Sequence, residues 1–415
     1  MIFSLDVRRA RKGDCMLLHW GDRADPRLML IDGGPSNVFK PHLEPRLEKI
    51  RAARGLSKDD VLPVDVLCVS HIDDDHIHGI LDLTGQLLAT RAAHGQVPVH
   101  ILGCWHNSFD DLIGNSQKET IASITAQFGT AALNGLPPEH EDIEPDAAKI
   151  LASVGQGHRL RTDAAALGIT INPEFENAPI VAKKGVEPLA LDAGLTVTVV
   201  GPMEPELKAL RKKFAEWLRE QGRRRKDAEA ALAAFADKSV PNLSSIVLLI
   251  EAAGRSMLLT GDARGDKILE GLELAGHLPS GGSLHVNVLK VPHHGSSNNM
   301  EAHFFERVTA DHYVFSGDGE HGNPERETLE MLFEARGDKP FTLHFTYPIR
   351  SIDEERAKDR EKARKKGHAV PAWSDERDGL ESLFASRDME ARGQRIVCSE
   401  ECEPHVIDLG SPLGF

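Results

Sequence analysis

This 415-residue sequence is short of several things, and each shortage removes a class of protein. It has 5 cysteines, an odd number, scattered at positions 15, 68, 104, 398 and 402. A fold stapled by disulfides needs dense, paired cysteines, so a reduced, cytoplasmic protein is expected instead. Cys398-x-x-x-Cys402 has half the spacing of a metal knot, but no second pair accompanies it, and chance is the simpler account. No apolar run reaches the length of a membrane span, so no membrane partner is expected. The start, Met1 to Val7, alternates like a strand and lacks the basic flank and apolar stretch of a secretion signal. Positive charge is also scarce: 49 Lys and Arg face 64 Asp and Glu, a net charge of −15. That argues against a surface coated for nucleic acid, while leaving room for a local basic groove.

What is present is a core and a cluster. Hydrophobic residues make up 40% of the chain, enough for one large domain with insertions or for two domains. The stretch Ser70-His71-Ile72-Asp73-Asp74-Asp75-His76-Ile77-His78-Gly79 packs three carboxylates and three imidazoles into eight positions. It follows the β-branched run Val64 to Val69, which reads as a buried strand. Like charges held together raise each other's pKa and cost stability unless a cation joins them. Neutral imidazole and anionic oxygen are the donors a divalent metal takes. If the strand stays extended, positions 71, 73 and 75 point one way and His76 enters from the side. The plain alternative is a solvated acidic loop. A helix is expected to start near His78.

The same pattern recurs along the chain: an apolar strand, then a His or Asp at its C-terminal end. Leu28 to Asp32 ends in Gly33-Gly34, so Asp32 is either turn chemistry or a carboxylate supporting a ligand. Val99 to Leu102 leads to His106, a further ligand or a structural residue. Met257 to Thr260 leads to Asp262, Val286 to Val291 leads to His293 and His294, and Tyr313 to Ser316 leads to a loop with His321. Core strands do not need titratable tips, so one shared site at a sheet edge explains the repetition near 71, 106, 262, 293 and 316–321 better than five accidents. Residues 205–238 are locally basic around Lys208, Arg211 and Arg223 to Lys226, either a solvated helical hairpin or a phosphate-contacting surface. Residues 353–366 read as a solvated charged helix.

These residues, in this order, resemble the metallo-β-lactamase fold superfamily. His71-x-Asp73-x-Asp75-His76 is similar to the variant motif of the branch that contains the nuclease domain of the DNA-uptake protein ComEC. Gly13-Asp14, Asp32-Gly33-Gly34, Leu259-Thr260-Gly261-Asp262 and His293-His294-Gly295-Ser296 resemble that branch too. The resemblance implies an α/β fold, a four-layer αββα sandwich with helical insertions. It covers residues 1–345, with insertions at about 107–190 and 203–240, and leaves 346–415 as a charged extension packed on the same domain.

The resemblance also implies two divalent ions, Zn²⁺ or Mn²⁺. His71 and Asp73 would hold one ion, Asp75 and His76 the other. Asp262 would bridge, His293 would complete the set, and His106 is the candidate for the remaining ligand. Asp75, His294 and His321 are the expected catalytic residues, His294 facing substrate and His321 standing in where the branch has Gly-His-Pro and this chain has Gly322-Asn323-Pro324. The implied activity is hydrolysis of a phosphodiester, with nucleic acid or a small phosphodiester as substrate. Hydrolysis of a small ester, thioester or lactam is the second reading, and a non-catalytic module binding a protein partner is the third.

Overall fold

The computed structural model of the chain describes residues 1–57, 59–108, 145–208, 244–400 and 403–415. Apolar runs make the strands, and their side chains feed two cores. In β1 (Ile2–Val7) and β2 (Met16–Asp22), Phe3, Leu5, Met16, Leu18 and Trp20 enter one core while Leu17 enters another. In β3 (Asp25–Ile31) and β4 (Leu62–Val69), Met29, Ile31, Val66 and Cys68 take the first side and Leu28, Leu30, Val64 and Leu67 the second.

Two mixed sheets result. The first runs β15-β1-β2-β3-β4-β5-β6, with β5 at Val99–His106, β6 at Thr170–Ile171 and β15 at His405–Asp408. The second runs β14-β13-β12-β11-β10-β9-β8-β7. Its members are β7 (Leu189–Leu191), β8 (Leu195–Gly201), β9 (Val247–Ala252), β10 (Arg255–Leu259), β11 (Leu284–Lys290), β12 (Val308–Phe315), β13 (Phe341–Phe345) and β14 (Gln394–Cys398). Strands β3 to β6 are parallel, as are β10 to β14; the rest pair antiparallel.

Three cores organise these sheets. One joins residues of both, Phe3 and Trp20 of the first with Leu248 and Val288 of the second. Another packs the first sheet on α1 (Glu44–Ala53), α2 (Asp74–Ala92) and α3 (Pro145–Leu167), through Leu47, Ile80 and Leu160. The third packs the second sheet on α4 (Gly265–Leu274), α5 (Ala302–Arg307), α6 (Arg326–Arg336) and α7 (Ile349–Lys365), through Leu272, Phe304, Leu332 and Ile352. Residues after 345 return to both sheets, since β14 pairs with β13 and β15 with β1.

One expectation is corrected here. The helix after the acidic cluster starts at Asp74, not His78. Asp73 keeps an extended backbone (φ −70°, ψ 146°), and Asp74 and Asp75 occupy the first helical turn. Carboxylates suit that turn because they face the positive end of the helix dipole. Asp75 therefore does not sit on an extended strand tip in line with His71 and Asp73. Among the described residues, no helix is long and apolar enough to cross a membrane. Arg211 and Arg223 to Lys226 of the basic stretch lie outside the described residues, as does Cys402.

Candidate metal centre

Parallel strands bring their C-terminal ends to one edge, and in α/β sheets that edge is where ligands bind. Here Asp32 follows β3, His71 follows β4, His106 ends β5, Asp262 follows β10, Lys290 ends β11 and Ser316 follows β12. The loop carrying Asp14, between β1 and β2, reaches the same edge. Two close backbone approaches fix this geometry. A Cβ on Gly13 would lie 1.8 Å from the Asp75 carbonyl oxygen, and one on Gly79 would lie 2.0 Å from that of Gly33. Gly33 N donates to His76 O at 2.7 Å and Gly79 N to Gly34 O at 2.9 Å, so the Asp32 turn clasps the first turns of α2.

Asp262 is the hub. Its Oδ1 lies 3.3 Å from Nε2 of both His76 and His294. Its Oδ2 lies 3.8 Å from His71 Nε2 and 3.6 Å from His293 Nε2. Asp73 Oδ2 stands 3.9 Å from His71 Nε2. Donor atoms of Asp14, His76, Asp262 and His294 fall within 4.8 Å of one another, and so do those of His71, Asp75 and His76.

Behind the histidines, two Ser–Asp pairs set the tautomers. The Ser70 hydroxyl donates to Asp32 Oδ2 at 2.7 Å, and Ser70 N donates to Oδ1 at 2.7 Å. A hydroxyl has one proton, so Ser70 Oγ accepts from His71 Nδ1 at 3.1 Å. Asp32 Oδ2 accepts from His76 Nδ1 at 2.8 Å. Ser316 repeats the device: its hydroxyl donates to Asp14, and its oxygen accepts from His294 Nδ1 at 3.3 Å. In their neutral form all three rings carry their proton on Nδ1 and turn Nε2 toward Asp262. Those Nε2 atoms are buried and make no hydrogen bond among the described residues. Such orienting partners are what metal-ligating histidines require.

The electrostatics ask for cations. Burial pushes Asp73 up to about 7, with Asp75 and Asp262 adding to it. Burial opposes protonation of His76 and His294, yet Asp262 with Asp32 holds His76 well above the usual imidazole value, and Asp262 with Asp14 lifts His294 to about 9. His71 goes the other way: burial first, then the neighbouring His76, holds it well below the ordinary value. Five carboxylates (Asp14, Asp32, Asp73, Asp75 and Asp262) share this neighbourhood with one lysine, Lys290. Oxygen and imidazole donors, buried lone pairs and excess negative charge all fit divalent metal ions.

The structure brings His71, Asp73, Asp75, His76, Asp262, His293 and His294 to one place. The paired histidines lie at different depths. His294 is the buried member, grouped with His76 and Asp262, whereas His293 keeps 28% side-chain exposure at the rim. Both residues have left-handed backbones (φ 47° and 54°), and this strained turn sends the second ring inward over Asp14. His106 is buried at the end of β5, its N–H held by Asn172, and belongs to neither donor group. His321 is exposed, with Nε2 3.2 Å from Lys12 Nζ. An ammonium only donates, so that nitrogen accepts.

Sequence reasoning missed several residues. Lys290 had a signal, a lone cation at the end of an apolar strand. Ser70 and Ser316 had only their positions at strand ends. Ser153 and Gln156 of α3, which hold Asp73 and Asp74 at 3.2 and 2.6 Å, had none.

No family model matches the chain, and no curated protein matches it. Among solved structures, it is similar to one from Parabacteroides distasonis ATCC 8503 described as a "putative metal-dependent hydrolase". That likeness has a TM-score of 0.31 and 10% identity, over 83% of this chain and 98% of that one.

Proposed function

We propose that the chain is a metal-dependent phosphodiesterase with a dinuclear centre, in a four-layer αββα domain of the metallo-β-lactamase kind. The 346–415 segment is read as part of that domain. The observation that carries the reading is the Asp262 carboxylate, which offers one oxygen to His76 and His294 and the other to His71 and His293. A bridging carboxylate between two donor groups is what a pair of ions needs.

His76, His294 and Asp75 would hold one ion; His71 and Asp73 the other; Asp262 would join both. Bound divalent ions supply Lewis acidity and bring the pKa of water toward neutrality. The protein's own part is orientation. Asp32 and Ser70 fix His76 and His71, and Ser316 with Asp14 fixes His294. His293, at the open rim, would face incoming substrate and contact the leaving group. The hard, carboxylate-rich donor set makes Mn²⁺ a competitor of Zn²⁺.

The test is metal analysis followed by a substrate panel. The purified chain should carry close to two divalent ions. It should cleave bis-para-nitrophenyl phosphate or DNA with Mn²⁺ or Zn²⁺ and be silent in chelator. Bound ions with turnover only of lactams or thioesters would transfer the reading to those substrates.

A further inference from the structure

Lys290 is completely buried at the end of β11, and the chemistry above leaves it without a task. Its ammonium lies 2.5 Å from Asp14 Oδ2, 3.0 Å from the carbonyl oxygen of Gly261 and 3.8 Å from Asp262 Oδ1. Asp14 is just as buried, and distance alone gives it two possible roles. Its oxygens are close enough to His76, Asp262 and His294 to be a metal ligand. They also lie behind the rings, 3.5 Å from His294 Nδ1 and 3.8 Å from His76 Nδ1, on the side away from the Nε2 lone pairs.

We propose that Lys290 decides between these roles: its ammonium is the built-in counter-charge of Asp14, keeping that carboxylate an orienting acceptor behind His294 instead of a metal ligand. Two observations support this. Asp14 Oδ2 is engaged by the ammonium, and Asp14 Oδ1 accepts from Ser316, so both oxygens are committed. The matching carboxylate, Asp32, does the same orienting work for His76 and is likewise held at both oxygens, there by Ser70. A fixed cation beside a dinuclear site would also weaken ion binding there, and Lys290 is tolerated because Asp14 cancels it. Lys290 is thus a positioning residue that sets how many carboxylates the ions see.

This inference rests on the metal reading, and the experiment separates the two. Full-length chains carrying Lys290→Met, Asp14→Asn, or both are melted in chelator, and their ion content is counted after loading with Mn²⁺. Lys290→Met strands a buried carboxylate, so its melting temperature in chelator should fall by about 4 °C. Adding Asp14→Asn should recover most of that loss, which would not happen if Lys290 only filled space. Asp14→Asn alone should bind as many ions as the unaltered chain, and Lys290→Met should bind Mn²⁺ about tenfold more tightly, since the Asp14 charge is then uncancelled and free to face the ions. Loss of an ion in Asp14→Asn, or a double variant no more stable in chelator than Lys290→Met, overturns the proposal. An unaltered chain that binds no ion overturns the metal reading instead, and the chelator melts still judge the Lys290–Asp14 pairing.

Discussion

His76 donates from Nδ1 to Asp32 Oδ2 at 2.8 Å, and that bond turns its Nε2 lone pair toward Asp262. The acceptor stands at the end of β3, the donor in the first turns of α2, 44 residues on. Asp32→Asn presents an amide N–H2 in place of a carboxylate oxygen and favours the wrong tautomer. Affinity for divalent ions should fall about 10- to 100-fold, as it does when such outer partners are removed elsewhere. Isothermal titration with Zn²⁺ or Mn²⁺ reads this directly; unchanged affinity would remove Asp32 from the centre.

Asp262 touches both donor groups, so its loss should cost both ions. Asp262→Ala is expected to purify with less than half of the normal metal content and to lose at least about 10³-fold in hydrolysis of bis-para-nitrophenyl phosphate, a loss of the size seen when a key charge-stabilising group is removed. Mass spectrometry of metals on the purified variant is the check. Retention of two ions would mean that the carboxylate does not bridge.

The two adjacent histidines should behave differently. His294→Ala removes a buried donor and should lower ion content. His293→Ala, at the rim, should keep its ions and lose about 10²- to 10⁴-fold in turnover, the range for a group moving a proton. The opposite pattern would return His293 to the ligand role.

Gly79 faces Gly33 across the clasp that positions His76. A methyl group there would lie 2.0 Å from a carbonyl oxygen, so the backbones must part. Gly79→Ala should destabilise the chain by about 1–3 kcal/mol, the usual cost of overpacking, and weaken ion binding with it. Chemical denaturation with and without Mn²⁺ tests both effects.

A second histidine chain predicts acid sensitivity. His312 Nδ1 lies 2.9 Å from His344 Nε2, and His344 Nδ1 lies 2.8 Å from His405 Nε2, linking β12 and β13 of the second sheet to β15 of the first. Burial, then the charges of His405 and His312, lowers His344 to about 2; burial lowers His405 to about 4 against the opposing pull of Asp6. These rings stay neutral in the folded chain but charge near pH 6.5 when unfolded, so the unfolded state binds more protons below that pH. Stability should therefore fall as the pH drops from 6.5 to 4, with His405 alone contributing on the order of 3 kcal/mol. In His405→Gln that pH dependence should shrink, while ion content at pH 7.5 stays the same. A slope unaffected by the change would assign the acid sensitivity to other groups.

The sequence alone determined where the chemistry-bearing residues stand along the chain. Period-two apolar runs marked the strands, and a titratable residue at the end of a run marked Asp32, His71, Asp262 and His293-His294, because the C-terminal ends of parallel strands meet at one sheet edge and can offer polar groups to a shared site there. What the tertiary structure alone decided is which of those tips meet and which nitrogen faces which oxygen. Local pattern could not show that the helix begins at Asp74, that the strained turn buries His294 and leaves His293 at the rim, or that His106 and His321 stand outside both donor groups. Nor could it pair Lys290 with Asp14 across 276 positions, for that contact exists only when two sheets pack face to face and a buried charge must find its opposite.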